Sequence, residues 1–346
     1  MTSLTRLVTA MGHREPDRVP FLLPATLHAA REVGLALPAY FRRAEHVIEG
    51  QLRVRARYGH DAVLGFLYGP LEIAAWGGEV IFRDDGPPNS GEPPLRVARL
   101  DSVQPPGVAD CPGLQLALAV IAGLKARVGD AAPVLGAVIS PFSLPVMQLG
   151  FDRYLELLYE QPERCARLLA ANEEFCVEWA NAQLAAGATA ISYADPLASP
   201  TILPRELWLR SGLPLARRTL ARIGGGVAVS LASGRCLPLV DDLAAAGAVG
   251  VGASVHDDLA AVKAACRGRL TVLGNLNAIE MRRWTAAEAE AKVKEAIRAA
   301  GPGGGYVLTD NHGEIPLQVP DDVLLAIGAA VETWGRYPLN WVSGDG

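Results

Sequence analysis

Residues 303–316 read GGGYVLTDNHGEIP. A glycine cluster gives way to the apolar run Tyr306-Val307-Leu308, and that run to a loop with Asp310, Asn311, His312 and Glu314. A short β-prone run followed by polar residues reads as a strand and the loop at its C-terminal end. In a parallel α/β barrel, that edge is where chemistry is placed. Four groups able to donate, accept or ionise stand within five positions, so this edge is the first candidate site.

Outward from this stretch, the same strand-then-helix cadence recurs. Eight strands are expected, at 19–23, 62–67, 134–139, 188–193, 227–231, 249–253, 270–273 and 306–308. Most are short and apolar throughout, the pattern of strands buried on both faces. Helical spacing fills 27–32, 38–58, 151–161, 163–186, 204–223, 237–246, 257–266, 285–300 and 320–333. Thr285 with Glu288 forms a capping-box signature. A helix over 2–12 makes an N-terminal helical extension, and 79–83 reads as one strand of a peripheral hairpin. Residues 84–113 carry seven prolines. They read as a long Pro-rich loop within the fold, because the same alternation resumes beyond them. Eight units predict the α/β class and a (β/α)8 TIM-type barrel, as a single domain over 1–346. An open doubly wound sheet is the alternative. No GxGxxG follows an early strand, however, and the glycines at 224–226 precede one instead.

Composition narrows the function. A formal net charge of -5 gives no footprint for a nucleic-acid partner. Five cysteines without CxxC spacing predict free thiols in a reducing compartment, hence a cytoplasmic protein. The N-terminus lacks an apolar core with a cleavage site, and no apolar stretch is long enough to span a membrane.

Six segments occur in a familiar order: DRVP (17–20), GFLYGPLEIAAWGGEVIF (65–82), VISPFSLPVMQLG (138–150), ISYADPLASPTILP (191–204), VLGNLNA (272–278) and YVLTDNHGEIPLQVPDDVLLAIGAAV (306–331). Together they resemble the uroporphyrinogen decarboxylase superfamily over nearly the whole chain. The resemblance implies a distorted barrel with its active site at the strand C-termini, in an enzyme that is either a decarboxylase or a corrinoid- or coenzyme-M-linked methyltransferase. The decarboxylase set is mostly missing. Where the family has an arginine-rich motif, FLLPATLHAAREVG offers Arg31 and, one turn earlier, His28. The family's central aspartate matches Tyr68, its tyrosine matches about Met147 and its serine about Pro196; Asp195 and the late histidine, His312, are kept.

The methyltransferase branch is closer at DRVP and around Glu72. Its HxC zinc ligands match Leu231 and Ser233, and its late cysteine matches His312, so the family zinc site is not carried over and no metal is expected. A rearranged set of His312, Glu314 and Cys236 is the alternative. The leading expectation is a methyltransferase-like enzyme for a small molecule, with no tightly bound cofactor. A corrinoid would come on a separate protein, since no DxHxxG segment occurs. A porphyrinogen decarboxylase of altered specificity and a non-catalytic ligand-binding barrel are the alternatives, and a homodimer is the expected assembly. His312, Asp195, Glu72 and Tyr68 are the candidate catalytic residues. Tyr193, Asn275, Asn277, Asn311, Glu314, His28 and Arg31 are the candidate substrate contacts.

Overall fold

The computed structural model describes residues 1–342. The strands in chain order are β1 (Val63–Leu64), β2 (Val80–Ile81), β3 (Asn89–Ser90), β4 (Val134–Ile139), β5 (Ala190–Ala194), β6 (Gly226–Ser230), β7 (Gly250–Gly252), β8 (Thr271–Leu276) and β9 (Tyr306–Asp310). β2 and β3 form the small antiparallel hairpin. The other seven lie side by side in the order β1-β4-β5-β6-β7-β8-β9, all parallel. Helices between them pack outside, as in a TIM-type barrel.

The expected first strand, 19–23, forms no ladder. Pro20 and Pro24 remove two N–H donors, so it makes single bridges instead. On one side Phe21 bridges Leu308 of β9, with Leu22 N donating to the Leu308 carbonyl at 2.9 Å. On the other, Asp61 N donates to the Phe21 carbonyl at 2.8 Å. The Asp61 carboxylate accepts from Phe21 N at 2.9 Å, as a neighbouring strand's carbonyl would. Arg6 at 2.5 Å, Arg18 at 2.7 Å and Ser3 at 2.9 Å complete its shell. Asp61 therefore closes the barrel, and its buried charge is matched by two guanidiniums.

The helices need three corrections. The expected helix 38–58 is two, Leu37–Tyr40 and Ala44–Tyr58. A 17-residue helix, Pro112–Val128, stands where none was expected; its first residue was counted among the loop prolines. Proline is well suited to a first helical turn, whose N–H has no partner anyway. Third, 237–246 begins as a 3-10 turn before the helix Val240–Ala245. The capping box at Thr285 and Glu288 forms as the spacing predicts.

β1 is far shorter than the expected 62–67. Above Gly65, whose N–H meets the Leu135 carbonyl at 2.8 Å, β4 has lost its neighbour. Side chains replace it. Gln183 accepts from Ala137 N and donates to the Ala137 carbonyl, both at 2.9 Å. Glu72 accepts from Ile139 N at 2.8 Å. Buried main-chain groups need partners, and here an outer helix and the short helix Leu71–Ala75 supply them.

Candidate active site

The strand register sorts the side chains of the barrel wall. Ala137, Ser192 and Ala228 lie level across β4, β5 and β6, as do Ile139, Ala194 and Ser230. On the opposite face Ile191, Tyr193, Val227 and Val229 are buried against the helices. The inward positions are partly exposed while these outward ones are fully buried. Many barrels fill their interior with branched side chains. In this one, alanine, serine and glycine leave the upper lumen open, and Gly252 of β7 continues the small face at the level of Leu273. The strands are therefore not apolar on equal terms, as expected: side-chain size alternates along them.

The loops above the strands are stitched together. Asn275 Nδ2 donates to the Ser254 carbonyl at 3.0 Å. Ser254 Oγ donates to the Ser233 carbonyl at 2.7 Å, and Ser233 Oγ to the Asn311 carbonyl at 3.3 Å. This chain links the loops after β6, β7 and β9 to β8 itself. Ala232 and Ser233 take left-handed backbone conformations, φ 46° and 75°, to make the crossing.

The loop 310–314 stands beside it. Asp310 Oδ2 accepts from His312 N at 2.6 Å and Gly313 N at 2.9 Å, while its Oδ1 is buried without a partner. Burial pushes the Asp310 carboxyl up to about 6. Both polar atoms of the Asn311 side chain and Nδ1 of His312 are also buried and unpartnered. Burial, and then the nearby His256, lower His312 below its ordinary range. Burial raises Glu314 to about 8, and its Oε1 accepts from Leu27 N at 3.1 Å.

The other candidates divide sharply. Asp195 lies at the same barrel end but turns outward. It accepts from Ser140 Oγ and Ser143 Oγ, both at 2.6 Å, and from Trp208 Nε1 at 3.3 Å. Burial raises it despite these donors. Tyr193, on the same strand face, packs towards the helix layer near Cys176 and Thr219. Glu72 plugs the wall at β4. Its second oxygen is buried and unpartnered, and burial raises its carboxyl to about 8. Tyr68 stands edge-on to Phe41 and to Phe82 of the hairpin segment, with ring centroids 5.2 and 5.4 Å apart. Asn277 Oδ1 accepts from Ile279 N and Glu280 N, which ends β8 in a turn. His28 is buried with Nε2 against the Val319 carbonyl, and burial lowers it to about 4. Arg31 pairs with Asp321 on the outer surface. Ser233, Ser254 and Gln183, which hold the rim and wall, were outside the expected set. Their serine and glutamine side chains give no signal in one sequence.

A family model described as uroporphyrinogen decarboxylase (URO-D) matches residues 2–334. The chain belongs to the URO-D family. Similar curated relatives are the uroporphyrinogen decarboxylases of Magnetococcus marinus, 25% identical over 96% of this chain and 97% of that one, and of Idiomarina loihiensis, 22% identical over 98% of each. Among solved structures, a methyltransferase from Methanosarcina mazei superposes with a TM-score of 0.85 at 20% identity, covering 96% of this chain and 99% of that chain. A B12-independent methionine synthase from Shewanella sp. shares the fold at TM-score 0.54 and 13% identity, covering 84% of this chain and 88% of that chain. The URO-D family is a family of enzymes, and these two neighbours fix the barrel fold.

The zinc chemistry of the methyltransferase branch does not fit these residues. Leu231 is buried and apolar, and Ser233 spends its hydroxyl on the Asn311 carbonyl. The rearranged set fails as well. Cys236 is buried beside Asp257 and Cys266, and burial pushes its thiol up, the opposite of what a ligand thiolate needs. Among the described residues no group of three or more His, Cys, Asp or Glu is placed to hold a metal ion. Also among the described residues, no helix is long and apolar enough to cross a membrane.

Proposed function

We infer that this URO-D family member transfers a methyl group from the oxygen or nitrogen of a small uncharged substrate bound in the barrel mouth. The observation that carries this reading is the uncharged inner face. The level positions of β4, β5 and β6 hold Ala137, Ser192, Ala228, Ile139, Ala194 and Ser230, and Arg31 is tied to Asp321 outside. A substrate with eight carboxylates needs cations to offset its charge on leaving water. A neutral one does not.

The chain's own residues handle the proton. Loss of a methyl group leaves negative charge on the departing oxygen or nitrogen, which a general acid neutralises. Glu314, raised to about 8, holds a proton at neutral pH. His312, lowered by burial, is neutral there and able to accept one. Asp310 fixes the His312 backbone through its N–H. The methyl acceptor in this reading is a corrinoid carried by a separate protein, since the inward alanines, serines and glycines offer room but no ligand.

The names of the sequence relatives favour a second reading, decarboxylation of a porphyrinogen with altered specificity. To separate the two, the protein is incubated without oxygen with reduced cobalamin and an aryl methyl ether whose methyl carbon is isotopically labelled. Label recovered on cobalt, and lost with His312→Ala, supports methyl transfer. Absence of label across a panel of neutral O- and N-methyl compounds counts against it.

A further inference from the structure

Asn311 is the least satisfied side chain of the site. Its main chain is fixed on both sides: the N–H donates to the Leu276 carbonyl at 3.0 Å, and the carbonyl accepts from Ser233 Oγ. It continues β9 in the parity of Thr309, which is level with inward Asn275 of β8. The residue is only 7% exposed, yet neither the Nδ2 nor the Oδ1 of its side chain has a partner. An amide offers two donors and an acceptor. Burying both ends unpaired is costly, and such groups in a native fold call for an explanation.

We propose that Asn311 reads a primary amide on the ligand, pairing its Nδ2 with the ligand's carbonyl and its Oδ1 with the ligand N–H that lies syn to that carbonyl. This rests on the uncharged substrate class inferred above and narrows it. An ammonium ligand has donors alone and leaves Nδ2 unpaired. A carboxylate has acceptors alone, leaves Oδ1 unpaired, and brings negative charge beside Asp310 with no inward Arg or Lys on the level strand positions to balance it. An amide alone of the three completes both ends in one plane. The neighbouring orphans, Asp310 Oδ1 and His312 Nδ1, leave a further acceptor and a ring nitrogen for the rest of the molecule.

The test uses three matched probes on the full chain: benzamide, benzoate and benzylamine, titrated by calorimetry. None has a methyl group to give, so the outcome is independent of whether methyl transfer occurs. Benzamide is expected to bind at least about tenfold tighter than either ion, the scale of one buried pair left unmade. Asn311→Leu removes the preference, and Asn311→Asp, which keeps the shape and loses the donors, weakens benzamide and benzoate but not benzylamine. If either variant fails to fold, the side-chain amide resonances of Asn311 in the wild-type protein give the readout, and benzamide is expected to shift them. Equal binding of the three probes, a preference that survives Asn311→Leu, or unmoved resonances would overturn the proposal and leave the amide completed by ordered water only.

Discussion

Two aspartates end well-separated strands of the same barrel rim, β5 and β9, and their surroundings are opposites. Asp195, after β5, is 1% exposed and carries two serine hydroxyls and an indole N–H on its oxygens. Asp310, ending β9, is 5% exposed and has one oxygen bonded to two backbone N–H groups and the other to nothing. The side-chain amide of Asn311 and Nδ1 of His312 have no hydrogen-bond partner either. A fully satisfied buried network fixes architecture, whereas an incomplete one marks where something else completes it. The difference separates a carboxylate that holds loops in place from a loop prepared for a ligand, although sequence makes the two look alike.

The largest effect is expected at the satisfied site. Asp195→Ala leaves Ser140, Ser143 and Trp208 without their acceptor, and we expect a loss of about 3 kcal/mol in urea unfolding. A loss below about 1 kcal/mol would make the network dispensable and erase the contrast. The loop should behave the other way round. His312→Ala removes a partly exposed ring and should leave stability within about 1 kcal/mol. Methyl transfer should fall at least about 100-fold, as when a general acid–base group is lost. Equal losses of stability and rate would assign His312 to the scaffold.

A smaller effect sharpens the place of Glu72. Its folded carboxyl is raised from the ordinary range near 4.5 to about 8. Between those values the folded state keeps a proton that the unfolded chain has released, so stability falls as pH rises through that window. Glu72→Gln keeps the acceptor for Ile139 N and cannot ionise. Its stability relative to wild type should therefore grow from pH 5 to pH 8, measured by thermal unfolding. A constant difference across that range would mean that Glu72 is not buried in the wall.

Much of the fold was legible, because strand cadence and helix caps are local. The loop at 310–314 stood out through its dense polar residues, and Thr285 with Glu288 announced a helix start. What failed was not local. Asp61 reads as part of a turn until Phe21, Arg6 and Arg18 are seen around it. The helix Pro112–Val128 was hidden by its opening proline and its almost unbroken apolar run, PGLQLALAVIAGLKARV, which shows no polar face. The open lumen was written in Ala-Ile-Ser-Tyr-Ala and Gly-Val-Ala-Val-Ser as an alternation of size, which a search for polarity passes over. Asp195 and Asp310 could not be told apart at all, since their partners come from other segments.

The central claim is that an inner strand face without cations selects a neutral ligand over the polycarboxylate that the names of the sequence relatives suggest. The direct measurement is an anaerobic assay with uroporphyrinogen, followed by separation of the porphyrins formed on oxidation. The account predicts no coproporphyrinogen above the protein-free control, and no rescue when a cation is introduced by Ser192→Arg alone. Robust stepwise decarboxylation by the wild-type protein, abolished by Asp195→Asn with the fold intact, would contradict it and make Asp195 the working carboxylate.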